Sequence, residues 1–309
     1  MSPPSPDSTP LVDTSPRSLG RFSVGPVAIG TWRLTDPEFS VGTSLIGRGL
    51  ELGFNLVDTA DVYGLDWGGT GFGSCEEHVG RVLAANPSMR DDIVLATKGG
   101  IIPGVPYNSS RSYLRAAVDA SLTRLRTDRI DLYQIHRPDP LTSPAEVASA
   151  MVELREQGKV LEFGVSNYTP SQFAALQHHL PFPLVSTQPQ FSAAFLDPMF
   201  DGTFDQCLTL GVVPLAWSPL GGGDLGAGGE ETGTRTDLVS VLDELARREA
   251  TDRATIALAF VLSHPSRPIP ILGTTKPDRV SQAADAGQVH LERADCYRLV
   301  EASIGEKLP

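Results

Sequence analysis

The chain is 309 residues long, with 40% hydrophobic and 20% charged residues, ample for a core and too mixed for wholesale disorder. Its 37 acidic and 25 basic residues give a net charge of −12, and no basic cluster breaks that field, which argues against a nucleic-acid or anionic-membrane surface. Three scattered cysteines (Cys75, Cys207 and Cys296) offer neither a disulfide framework nor a zinc site, and the six histidines show no metal-ligand spacing, so no metal is expected.

Residues 1–17, rich in Pro and Ser, read as a disordered lead-in that lacks the basic start and apolar core of a secretory signal. No apolar run approaches the ~18 residues needed to span a bilayer. A cytoplasmic, monomeric protein with one domain over residues 18–309 is therefore expected. Within it, short apolar runs alternate with helical periodicity. A strand at 27–30 precedes a helix at 44–52, then a strand at 54–58 and a helix at 76–85. A strand at 93–97 leads to a helix at 110–125, with Ser109 or Ser110 as its N-cap. The strand at 130–135 is followed by a helix at 144–157, and the strand at 163–166 by a helix at 170–178 capped by Thr169. A strand at 184–187, a helix at 204–210 and a strand at 212–216 come next. Helices at 238–248 and 253–262, a strand at 269–272, and helices at 277–286 and 294–304 complete the chain. Gly53, Gly158 and Gly211 fall just past helix ends, where a left-handed residue is wanted.

Eight such units predict a (β/α)₈ TIM barrel. The alternative is a doubly wound open sheet, which calls for a GxGxxG loop after the first strand. Gly30-Thr31-Trp32 does not supply one. In a barrel the chemistry belongs at the C-terminal strand ends. There stand Asp58 and Tyr63 after the second strand, Lys98 after the third and His136 after the fourth. Lys98 is one of only 4 lysines against 21 arginines. A buried amine needs a negative partner, and Asp58 is one strand away. An ammonium beside a phenol favours the phenolate, which predicts a Tyr63 more acidic than its reference pKa of ~10. A neutral imidazole beside it hydrogen-bonds a substrate oxygen or relays the proton. Each residue taken alone also fits a packing role. Together they suit protonation of a carbonyl oxygen while a cofactor delivers hydride to its carbon.

The later strand ends suit a nucleotide. Ser166, Asn167 and Gln188 present groups for a carboxamide, and the Trp217 indole offers a stacking face. Gly221-Gly222-Gly223 opens a Gly-rich stretch to Thr236, either a flap over a pyrophosphate or an ordinary solvent loop. Lys276 and Arg279, at a helix start, hold a phosphate or form a solvated helix end.

Over about residues 20–305 the chain resembles the aldo-keto reductases. The motifs are VDTADVYG (57–64), LATK (95–98), LRTDRIDLYQIHRPDP (125–140), FGVSNYTPSQF (163–173), AWSPLGGG (216–223) and GTTKPDRV (273–280). IHRPDP, FDGTFDQ (200–206) and the triple Gly look most like the bacterial YdhF-like branch. The resemblance implies an NADPH-dependent barrel, with NADH a poorer cofactor, that interconverts small-molecule carbonyls and alcohols. It implies a catalytic tetrad of Asp58, Tyr63, Lys98 and His136, with Tyr63 as the acid. Ser166, Asn167 and Gln188 fall at its carboxamide positions, Trp217 at the ring-stacking position, and Ser218, Leu220 and Gly221 along the pyrophosphate. Gly273, Thr274, Thr275, Lys276 and Arg279 surround the adenosine 2′-phosphate, and Thr31 and Trp32 match the first-strand loop. Departures are Gln282-Ala283 where relatives carry Glu-Asn at the adenine, Thr187 where Asn is common, and a long Gly-rich loop at 65–74. That loop either walls a substrate pocket with Trp67, Trp32, Tyr63 and His136, or is a mobile insert. Two other activities share these motifs: an NAD-dependent sugar 1-dehydrogenase and a non-catalytic NADPH-binding regulatory subunit.

Overall fold

A computed structural model describes residues 11–36, 38–66, 68–226 and 236–309. A short antiparallel hairpin, β1 (Arg17–Leu19) and β2 (Phe22–Val24), leads into the first barrel strand. The barrel strands are β3 (Ala28–Gly30), β4 (Leu56–Asp58), β5 (Val94–Gly99), β6 (Ile130–Ile135), β7 (Val160–Ser166), β8 (Ser186–Gln188), β9 (Val213–Ala216) and β10 (Ile269–Leu272). All pair in parallel, each with its successor, and β10 closes onto β3 through Ile271 and Leu272. The sequence therefore specified the expected (β/α)₈ barrel. Every barrel-strand residue but Leu161 is buried, as parallel strands covered on both faces must be.

Two apolar layers form. The larger lies between strands and helices; the smaller fills the barrel, with Ala28, Leu56, Val94, Leu132 and Leu215. Leu19 and Val24 of the hairpin join the inner layer, so the hairpin stoppers the floor of the barrel. The sequence reading missed it, because each strand is only three residues long and too short to show an alternating pattern. β7 also starts three residues early. Glu162 interrupts the apolar run, yet it is buried at the floor, where its Oε1 accepts from Arg21 Nε at 3.0 Å. Two single-turn helices, Met89–Asp92 and Asp197–Phe200, were missed too, because one turn is too short to repeat an apolar pattern.

Ordered structure begins earlier than the expected tail boundary. Of residues 1–17, the first ten lie outside the described residues. From residue 11 the chain lies on the barrel: Leu11 N donates to Leu291 O and Asp13 N to Leu262 O, and buried Arg17 opens β1. Composition registered the prolines and serines but not these backbone anchors.

The helices start where their caps dictate. Ser110 accepts from Tyr113 N, and Thr169 and Gln172 form a reciprocal capping box. Gly53, Gly158 and Gly211 have φ of 78°, 70° and 67°, the left-handed conformation that ends a helix. No helix among the described residues is long and apolar enough to cross a membrane.

Candidate active site

At the C-terminal mouth of the barrel a cavity of about 640 Å³ opens, within the range of small-molecule sites. It runs from Trp32, Tyr63 and His136 to Arg279 and Gln282. β4 and β5 are neighbours with Asp58 opposite Ala96, so Lys98, two residues further along β5, lies on the same face as Asp58. Lys98 Nζ donates to Asp58 Oδ2 at 2.7 Å and to Thr59 O at 2.7 Å, and neither side chain is open to solvent. Asp58 Oδ1 accepts from Gln188 Nε2 at 3.0 Å, which ties β4 to β8 across the barrel. The carboxylate is thus bonded on both oxygens, as a buried charge requires.

Above this pair, the Tyr63 ring centroid lies 4.9 Å from Lys98 Nζ and 5.7 Å from the His136 ring, edge to face. Trp32 closes the side at 6.5 Å from Tyr63. Burial disfavours the Lys98 ammonium, but Asp58 and Tyr63 outweigh that and hold it above the usual lysine value. For Tyr63 the balance goes the other way. Burial pushes the phenol above 10 and Lys98 recovers only part of the shift. The greater acidity expected from charge proximity is therefore corrected: at rest the hydroxyl keeps its proton. His136 is pushed well below 6.5 by burial, with Lys98 and Arg137 adding to it, so the imidazole is neutral, and its Nδ1 has no partner among the described residues.

The groups after β7, β8 and β9 hold one another. Ser166 Oγ donates to Gln188 O at 3.0 Å, and Asn167 Nδ2 donates to Ser166 Oγ at 2.8 Å and to His136 O at 3.3 Å. Trp217 Nε1 donates to Asn167 Oδ1 at 3.0 Å, fixing the indole beside the cavity. Asn167 and Ser218 sit at φ 59° and 51°, the left-handed region that Asn tolerates better than most.

The cavity gathers most of the residues singled out from the sequence: Thr31, Trp32, Asp58, Tyr63, His136, Ser166, Asn167, Gln188 and Trp217 near the tetrad, then Ser218, Leu220, Gly273, Thr274, Arg279 and Gln282. Lys98 stands behind Asp58 rather than in the wall. Gly221, Thr275 and Lys276 are not in the wall either, with Gly222 and Gly223 there in place of Gly221. Lys276 is the exposed N-cap of the helix Pro277–Asp285, and its backbone N–H is bonded to Thr274 Oγ1 at 3.1 Å. Trp67 lies outside the described residues, as do residues 227–235 of the Gly-rich stretch. Residues the sequence reading missed are Arg33, Ile101, Arg137 and Asp252. Arg137 was visible only as a letter in the motif beside His136. Among the described residues no cluster of His, Cys, Asp and Glu is arranged to hold a metal.

The aldo/keto reductase family model matches residues 26–304. A 6-dehydroglucose reductase of Novosphingobium aromaticivorans is 42% identical over 297 residues, covering 95% of this chain and 97% of that protein. The oxidoreductase YdhF of Escherichia coli is 38% identical, with 91% and 94% covered. Among solved structures, a glycerol dehydrogenase of Gluconobacter oxydans superposes with a TM-score of 0.82 at 27% identity, over 96% of this chain and 98% of that one.

Proposed function

The chain belongs to the aldo/keto reductase family, and from that premise we propose that it reduces an aldehyde or ketone, sugar-like in character, to an alcohol with NADPH as hydride donor. The observation that carries this reading is the tetrad's geometry: a buried Lys98–Asp58 pair under a protonated Tyr63, with a neutral His136 edge-on to the phenol. The similarity to a 6-dehydroglucose reductase supports the sugar-like substrate.

The residues fit a dinucleotide. Thr31 Oγ1, in the cavity wall, is buried without a partner among the described residues, and Gly222 and Gly223, at φ 77° and 120°, let backbone come close to a ligand. Ser166, Asn167 and Gln188 would take the carboxamide, Trp217 the nicotinamide face, Ser218 and Leu220 the pyrophosphate, and Thr274 and Arg279 the adenosine phosphate. Gln282 and Ala283, which line the same end of the cavity as Arg279, would take the adenine. When bound, the cofactor supplies hydride to the carbonyl carbon.

The chain's own residues do the rest. His136 and the Tyr63 hydroxyl bracket the carbonyl oxygen and orient it. As that oxygen gains negative charge, Tyr63 gives it the phenolic proton. Lys98 steadies the phenolate left behind, a charge that burial alone resists. Asp58 keeps Lys98 charged and in place, and solvent then reprotonates Tyr63. In the oxidative direction the same phenolate is the base, and the cofactor ratio sets the direction.

The test is titration of the purified protein with NADPH and NADH, followed by tryptophan fluorescence, then turnover of aldoses and simple aldehydes. Tight NADPH binding, weaker NADH binding and NADPH consumption are expected. Failure to bind either nucleotide overturns the enzyme reading. Binding without turnover of any carbonyl favours the regulatory-subunit alternative.

A further inference from the structure

Arg137 follows His136 at the end of β6 and lines the cavity, half-buried, with its guanidinium 5.9 Å from the centroid of the Trp217 ring. Its backbone is restrained, because Pro138 disfavours a helical conformation at the residue before it. Its stacking platform is fixed as well, since Trp217 is bonded to Asn167. The side chain is thus presented rather than loose.

The charges around Arg137 do not cancel it. The Lys98 charge is matched by Asp58, and His136 is neutral. Asp139, two residues on, is engaged by Ser109 N, Leu141 N and Thr142 Oγ1 at 2.8, 2.9 and 2.7 Å. Arg33, the other cation at this end, donates to Gly222 O at 3.1 Å and so braces the Gly-rich loop. Asp66 lines the cavity from an exposed loop. Among the described residues Arg137 makes no ion pair. In a chain of net charge −12, one wall of the cavity beside the tetrad carries a guanidinium that no carboxylate among the described residues matches.

A guanidinium presents paired donors in a plane, the complement of a carboxylate's two oxygens, and partial burial strengthens the match over water. We infer that Arg137 is a specificity-determining residue that selects carbonyl substrates carrying a carboxylate, as in an oxo acid or an acidic sugar. This rests on the carbonyl-reductase reading above. The carbonyl faces Tyr63 and His136 while the carboxylate lies against Arg137, a two-point hold that fixes which end of the molecule reacts.

The experiment compares 3- and 4-carboxybenzaldehyde with their methyl esters, which are close to them in shape but lack the charge. The ratio of kcat/KM, acid over ester, is expected at about 10-fold or more in the wild type, the range of a charge-assisted hydrogen bond. It should fall close to one in Arg137→Gln and to an intermediate value in Arg137→Lys, which keeps the charge and loses the fork. High salt should erode the wild-type ratio. A ratio near one in the wild type, or one unchanged in Arg137→Gln, overturns the assignment while turnover of the esters leaves the reductase reading standing. A second measurement follows tryptophan fluorescence as 4-(hydroxymethyl)benzoate and its methyl ester bind with NADP+ present. Preferential binding of the acid that vanishes in Arg137→Gln supports the anion site even if no aldehyde is turned over, an outcome that counts against the reductase reading alone. Equal binding of acid and ester overturns the anion site.

Discussion

Lys98 Nζ and Asp58 Oδ2 are 2.7 Å apart with both side chains closed to solvent, so each charge depends on the other. Asp58→Asn leaves a buried ammonium without a counter-charge, and Lys98→Met leaves a buried carboxylate. Each single change should cost about 3–5 kcal/mol. The double change Asp58→Asn with Lys98→Met should cost much less than the sum. Urea unfolding of the four proteins measures this, and additive losses would show that the pair is not coupled.

Tyr63→Phe removes the phenol hydroxyl that faces both Lys98 and His136. Carbonyl reduction should fall by about 10²–10⁴-fold, the usual contribution of a positioned general acid. NADPH affinity, read by fluorescence, should barely change, because the hydroxyl is not required to hold the nucleotide. Retained turnover would move the acid role to His136.

Arg279 lines the far end of the cavity and Lys276 does not. Arg279→Ala should therefore weaken NADPH by about 10–100-fold and leave NADH nearly untouched, as expected for one charge-assisted contact to a phosphate. Lys276→Ala should have the smaller effect. Equal losses for both nucleotides would place Arg279 on a part of the cofactor that the two share.

Stability should decline on the acid side of neutrality through histidines that the fold keeps neutral. His264 packs on Phe204 at 4.5 Å between centroids and bonds Ser266 Oγ at 2.8 Å, and burial lowers its pKa from 6.5 to about 4. The unfolded chain takes up a proton near pH 6.5 and the folded chain resists until about pH 4. Stability is therefore complete above that window and is lost as the pH falls through it. His136 acts in the same direction. Melting temperatures from pH 7 to 4.5 should fall steadily, and His264→Gln should flatten the slope.

The barrel was legible because each parallel strand is a short apolar run, and the tetrad because strand ends can be counted. What the sequence hid follows from depth and orientation. Charge proximity made Tyr63 look acidic, but desolvation of the phenol outweighs the Lys98 charge. Lys276 and Arg279 look equivalent three residues apart and both are exposed, but of the two it is Arg279 that lines the cavity. Glu162 interrupts an apolar run and is in fact a buried anchor for Arg21. Arg137 reads as one more surface cation, and only the closed barrel shows that it shares a cavity with Trp217.

The stoppered floor and the β10–β3 seam also bear on how the protein is made. Arg17 at the start of the fold donates to Arg267 O, 250 residues later, and no earlier segment of chain supplies that contact. A ribosome therefore extrudes almost the whole polypeptide before the sheet can shut. Until then β3 and the newest strand present open, apolar edges of the kind that invite mispairing. Premature termination ahead of β10 yields no smaller working version, only an unclosed sheet for chaperones and proteases to clear.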